Sequence, residues 1–145
     1  MDASLPSVFL DRVITVEDFP WILTLAHKRY TDKPDPGATL VWLANVLRWP
    51  NAYAIRSEGA FCVALIQVPP WYPEHLECHI SVLVADQGCI WQAVRLLRDT
   101  VRWAKGRGCK RWWLTSDTDK DFNSLARRVG ASVEERYLID LTDGQ

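Results

Sequence analysis

Glu77 and His79 stand two residues apart in the alternating stretch 76–84, LECHISVLV. Strand periodicity sends Glu77, His79, Ser81 and Leu83 to one face and Leu76, Cys78, Ile80, Val82 and Val84 to the other. A carboxylate and an imidazole side by side, within reach of a bound water, form a candidate general base. The same pair is also what a solvated sheet face carries. Directly downstream, Ala85-Asp86-Gln87-Gly88-Cys89-Ile90-Trp91 joins this strand to a helix through a short turn with one glycine. A strand that feeds a helix this tightly aims the helix's free N–H groups at one point, which suits a phosphate. Gln87, Gly88, Cys89, Ile90 and Trp91 are therefore candidate anion-binding positions through their backbone amides. A plain strand–helix turn would read the same way.

Other residues carry weaker signals. Arg95, Arg98, Arg102 and Lys105 make a basic stripe on the following helix, suited to a nucleotide phosphate or an acidic partner, or simply a solvated helix face. His75, Cys78 and His79 are metal-ligand types, but alternation separates Cys78 from His79, so no metal site is expected. Cys89 lies at a helix start, where a thiolate is favoured, yet no partner base is identifiable. Trp71 and Tyr72 follow Pro69-Pro70 and suit either a pocket wall or a packing plug. Trp42 and Trp49 are ambiguous in the same way.

The positioning elements follow from periodicity and punctuation. Residues 8–14 (VFLDRVI) read as a strand. Residues 15–18 offer a helix start, with Pro20 in the first turn and Phe19, Ile22, Leu23 and Ala26 at helical spacing. Asp35-Pro36 is a cap followed by a first-turn proline, opening a second helix that ends before Pro50. Residues 52–55 and 60–68 form a hairpin about Ser57-Glu58-Gly59. The helix from Ile90 is predicted to bury Ile90, Val94, Leu97, Val101 and Ala104 and to stop at Gly106 and Gly108. Residues 109–115 read as a strand, 119–129 as a helix and 133–141 as a last strand. The order is β-α-α-β-β-β-α-β-α-β, an α/β (α+β) architecture. Three consecutive central strands imply antiparallel pairing, and strand–helix–strand at 76–115 implies a parallel crossover.

At 145 residues, with 48% hydrophobic and 24% charged residues, the chain fits one soluble domain spanning 1–145. Eight tryptophans suggest core or interface anchors. The net charge of −1 argues against non-specific nucleic-acid binding. No apolar run approaches the ~18 residues of a membrane span, and residues 1–12 lack the basic and apolar regions of a signal peptide. Four cysteines without a CxxC pair are expected to be reduced thiols in a cytoplasmic setting.

From residue 8 to residue 141 this order, with its phosphate-type turn after the fourth strand, resembles the GNAT superfamily of acyl-CoA N-acyltransferases. The family turn, Arg/Gln-x-x-Gly-x-Gly/Ala after Val-x-Pro, is matched loosely by Gln87, Gly88 and Ile90. The second glycine is missing, and Ala85 stands at the proline position. Residues 121–131 (DFNSLARRVGA) resemble the family's Asn-x-x-Ala…Tyr-x-x-x-Gly-Phe segment, with Asn123 at the asparagine and Ala126 where the thiolate-protonating tyrosine usually stands. The resemblance implies a mostly antiparallel mixed sheet of six to seven strands flanked by about four helices. It implies N-acetyl transfer from acetyl-CoA to a small-molecule or protein amine. Glu77 and His79 would assist deprotonation, and Gln87, Gly88, Cys89, Ile90, Trp91 and Asn123 would bind the cofactor. Amides around Val84 would align the pantetheine arm. Loosened patterns of this kind also occur in small GNAT-like proteins of tailed phages. The alternative expectation is therefore a catalytically inactive structural or interaction protein, a virion component or a member of a homo-oligomer or larger complex.

Overall fold

The computed structural model describes residues 9–114 and 127–130. Its elements are β1 (Arg12–Val13), a 3-10 turn (Val16–Asp18), α1 (Phe19–Arg29), α2 (Pro36–Val46), β2 (Ala52–Arg56), β3 (Ala60–Gln67), β4 (Glu77–Ala85), α3 (Ile90–Gly106) and β5 (Arg111–Leu114). The helix expected at 119–129 falls almost wholly outside the described residues. So do the strand expected at 133–141 and Asn123.

The described strands form one sheet in the order β1-β2-β3-β4-β5. Three pairings are antiparallel, and β4 with β5 is parallel. The mixed, mostly antiparallel sheet expected from the element order is thus present, with five described strands and three described α-helices.

Two apolar layers cover the sheet. On one face Ile22, Leu25 and Ala26 of α1 and Leu43 and Val46 of α2 pack with Ala54, Phe61, Val63 and Val84. On the other, Val94, Leu96, Leu97 and Ala104 of α3 pack with Ile55, Cys62, Ala64, Cys78 and Ile80. The buried face of α3 is rotated from the expected one. Ala93, Leu96 and Thr100 are buried, whereas Ile90 is 43% exposed. Thr100 is tolerated there because its hydroxyl donates to Leu97 C=O (2.6 Å) and accepts from Trp112 Nε1 (3.0 Å).

Alternation along β4 does not hold through its length, which corrects the sequence expectation. Val63 pairs with Val82 and the next residue, Ala64, with Ile80, so Ser81 is an extra residue on β4. Such a bulge flips the side-chain parity. Before it, Cys78 and Ile80 face α3; after it, Val82 and Val84 face α1 and α2, and Leu83 faces α3. Glu77 and His79, opposite in parity to Cys78 and Ile80, therefore share the α1/α2 face with Val82 and Val84, while Leu83 leaves them.

A buried ionic knot fastens β1, the 3-10 turn and β2. Asp18, 4% exposed, accepts from Arg12 Nη2 (2.7 Å) and Arg56 Nη1 (2.8 Å) on Oδ1, and from Arg12 Nη1 (2.7 Å) and Thr15 N–H (2.8 Å) on Oδ2. Arg56 also donates to Ser57 C=O (3.0 Å), and its guanidinium lies 3.5 Å from the Trp21 ring centroid. With five donor contacts shared this way, neither buried charge is left uncompensated.

Candidate functional site

The α1/α2 face of β4 carries the two candidate bases. Glu77 and His79 are half-buried and sit at the end of β4 that is paired with β5. Parallel register sets Arg111 beside Glu77, with Nη1 4.0 Å from Oε1, and Trp113 beside His79, ring centroids 4.0 Å apart at 19°. The stacked indole fixes the plane of the imidazole.

Beyond Ser81 the same face becomes the floor of a cleft. Val82 and Phe61 form this floor. Ile22, Ala26 and Tyr30 of α1 and its C-cap form one wall, and Ala38, Thr39, Trp42 and Leu43 of α2 the other. Its volume is about 270 Å³. Burial raises the Tyr30 phenol above its ordinary value, so it is a neutral hydroxyl at physiological pH. Asp35, the α2 N-cap, accepts from Ala38 N–H (2.7 Å) at the cleft's edge, as the Asp-Pro signal predicts.

Among the described residues, β4–β5 pairing ends at Ile80 and Leu114, while β4 runs on to Ala85. Asp86 N–H donates to Gly59 C=O (2.7 Å). Antiparallel alternation then aims the backbone of Val84 towards β3 as well, and that of Leu83 and Ala85 away from it. Leu83 and Ala85 thus present N–H and C=O groups on the side that has no strand partner among the described residues, directly before the turn.

The turn itself is held from three sides. Gly88 adopts φ +81°, the left-handed region that glycine enters without strain. Asp86 accepts from Gln87 N–H (2.8 Å) and pairs with Lys28 Nζ of α1 (2.8 Å). The Lys28 bond, first, and the Gln87 amide hold its carboxyl below the ordinary range. Gln92 Oε1 accepts from Ser57 Oγ and from Gly59 N–H, both at 2.5 Å, tying the first turn of α3 to the β2–β3 hairpin. Cys89 Sγ packs directly on Gly59, where an added Cβ would overlap it. Cys89 N–H donates to Asp86 C=O, and those of Gln92 and Ala93 to Cys89 C=O. The amides of Gly88, Ile90 and Trp91 have no acceptor among the described residues, as at any open helix start. Trp91, 56% exposed, stands beside them with the Arg128 guanidinium 4.6 Å from its ring centroid.

The remaining candidates are placed elsewhere. Arg95 forms a two-pronged pair with Asp11 (3.0 Å each), Arg98 donates to Arg128 C=O (2.7 Å) and Arg102 contacts Asp99 (3.3 Å). The three arginines of the basic stripe thus contact the protein's own groups. Cys78 and His79 lie on opposite faces, and among the described residues no three His, Cys, Asp or Glu side chains group to hold a metal ion. Cys62 and Cys78 are buried, and burial raises both thiols, which makes them poor nucleophiles. Trp71 and Tyr72 are 81% and 60% exposed. No described helix is long and apolar enough to cross a membrane.

Sequence reasoning missed the cleft, the Lys28–Asp86 pair and the Gln92 clamp. Gln92 was legible only as a polar residue inside a helix. Lys28 is 58 residues from Asp86, and nothing local connects them.

By sequence alone the chain matches no protein-family model and no curated protein. Its structure is similar to glucosamine-6-phosphate N-acetyltransferase from Arabidopsis thaliana: TM-score 0.77, 13% identity, 94% of this chain and 100% of that one. A protein described as a transcriptional regulator from Bacillus halodurans superimposes at TM-score 0.76 with 14% identity over 91% and 98% of the two chains. The aminoglycoside acetyltransferase AAC(6')-Iy, crystallised with a CoA bisubstrate analogue, superimposes at TM-score 0.73 with 16% identity over 92% and 97%. The fold is that of the GNAT acetyltransferases.

Proposed function

We propose that the chain is a GNAT-type N-acetyltransferase that moves an acetyl group from acetyl-CoA to an amine. One observation carries this reading. The half of β4 beyond Ile80, which has β3 as its one strand neighbour among the described residues, runs straight into a turn whose Gly88, Ile90 and Trp91 amides have no acceptor among those residues, on a fold shared with acetyltransferases.

In this reading the outward groups of Leu83 and Ala85, flanking Val84, pair with the pantetheine amides. Gln87, Gly88, Cys89, Ile90 and Trp91 surround the pyrophosphate, with Asn123 a further contact. Lys28, now paired with Asp86, adds positive charge beside a phosphate and offsets the one carboxylate there. The thioester supplies an electrophilic carbonyl. Glu77 or His79, through water, takes a proton from the acceptor ammonium, and the neutral amine attacks that carbonyl. An N–H at the β4 edge stabilises the oxyanion, and collapse expels the CoA thiolate. Ala126 has no acidic hydrogen, so the thiolate takes its proton from elsewhere.

Glu77→Gln and His79→Ala test the assignment. Loss of the base lowers turnover by about 10²-fold or more in a folded protein, with Glu77→Gln melting as the wild type and His79→Ala slightly lower because its stack on Trp113 is gone. Full activity in both variants would remove these residues from the mechanism.

A second reading is favoured by the bulky Trp91 side chain and the Asp86 carboxylate at the turn, a large group and a like charge where a pyrophosphate would sit. It is a GNAT-fold protein that binds partners without turnover, such as a component of a phage particle or another assembly. It predicts stable co-assembly and no CoA binding.

A further inference from the structure

The cleft between α1 and α2 is almost wholly apolar. Ile22, Tyr30, Trp42, Leu43, Phe61 and Val82 supply most of its wall. Its polar groups are few and mostly engaged. Asp35 accepts from Ala38 N–H (2.7 Å), Thr39 Oγ1 donates to Asp35 C=O (2.8 Å), and Tyr30 is a neutral phenol. Among the described residues no lysine, arginine or histidine lines it, and Asp35 at its exposed edge is the one carboxylate. Two acceptor chemistries are therefore disfavoured. A phosphosugar would find no cation for its phosphate. A polycationic aminoglycoside would find one carboxylate, already capping a helix, and would bury hydroxyls with no partners.

The site is also small. At about 270 Å³ it lies just under the range of drug-sized pockets. Its floor residue Val82 is the first residue after the β4 bulge, and the next residue back along the same face is His79, then Glu77. A molecule with an apolar body in the cleft would thus extend a polar head along β4 towards the two bases.

Resting on the acetyltransferase reading, we propose that the acceptor is a primary amine carried on a compact aromatic or branched-alkyl body, such as an arylalkylamine. The ring seats among Tyr30, Trp42 and Val82, and the amine points past Ser81 towards His79, the nearer of the two bases, with water spanning the remaining gap. Specificity then comes from apolar shape, and sugar amines are rejected by their unpaired hydroxyls.

The test is amine binding followed by the indole N–H resonance of Trp42, alone and with saturating CoA, using phenethylamine, tryptamine, glucosamine 6-phosphate and kanamycin. CoA binding is read separately by calorimetry, so failure of the cofactor reading is distinguished from failure of the acceptor assignment. The two arylalkylamines are expected to shift Trp42 and to bind more tightly than either sugar. Ala38→Phe, at an exposed α2 position that lines the cleft, fills the site and weakens arylalkylamine binding by about tenfold or more. Tighter binding of kanamycin or the phosphosugar would overturn the proposal. So would absence of any arylalkylamine shift in both conditions, or affinity unchanged in a folded Ala38→Phe variant.

Discussion

Gly59→Ala probes how the turn before α3 is held. Gly59 does not have a positive φ, so alanine meets no backbone strain. It would gain about 0.4–1 kcal/mol from a less flexible unfolded chain. In the folded state its Cβ would overlap Cys89 Sγ and come within 3.3 Å of both Cys89 Cβ and Gln92 Oε1. The sulfur can swing aside about χ1 for roughly 0.5–1.5 kcal/mol. Cys89 Cβ and the Gln92 amide cannot both retreat without stretching the bonds from Ser57 Oγ and Gly59 N–H. Overpacking of this kind costs about 1–3 kcal/mol. The net expectation is a destabilisation of about 1–2 kcal/mol. Urea unfolding measures it, and Cys89→Ala completes a double-mutant cycle. With the sulfur gone, Gly59→Ala should recover at least half of its loss. Acetyl-CoA affinity should fall in Gly59→Ala and return in the double variant, because the same clamp positions the turn. Additivity of the two substitutions within about 0.5 kcal/mol, the value for uncoupled sites, would refute the reasoning.

Asp18→Ala strands Arg56 as a buried charge and should cost about 3–5 kcal/mol by chemical denaturation, with the fold weakened throughout. Bonds from Arg12, first among its stabilisers, hold the Asp18 carboxyl well below its ordinary 3.8. Its contribution is therefore present above that value and is lost as pH falls below it, so a wild-type stability profile should drop in strong acid more steeply than that of Asp18→Ala. Trp112→Phe removes the donor to Thr100 Oγ1 but leaves the Thr100–Leu97 bond, so thermal unfolding should register a loss of only about 1 kcal/mol. At least one of Glu77→Gln and His79→Ala should lower steady-state acetyl transfer, Glu77→Gln at an unchanged melting temperature and His79→Ala at one lowered slightly by loss of the Trp113 stack.

Where residues act locally, the sequence is a good guide to this fold. Asp35-Pro36 announces α2 because a cap and a fixed φ need no tertiary support. The Ser57-Glu58-Gly59 hairpin and the parallel crossover after β4 are legible for similar reasons. The bulge at Ser81 is not. After Ser81 the sequence reads Val-Leu-Val-Ala, apolar at both parities, so either face assignment fits and the flip leaves no trace. The rotation of α3 was hidden because Thr100 scores as polar although two hydrogen bonds let it be buried. Glu77 and His79 were rightly placed together on one face because the bulge comes after them. The Asp18 knot, the Lys28–Asp86 pair and the cleft join segments far apart in the chain, and pairings of that kind have no local signature.

The most direct test of the account is calorimetric titration of the purified protein with acetyl-CoA and with CoA. Micromolar binding to one site per chain is expected, weakened by Lys28→Met and by Gly59→Ala. No heat at millimolar ligand would contradict it, and would leave the fold as a scaffold for protein contacts.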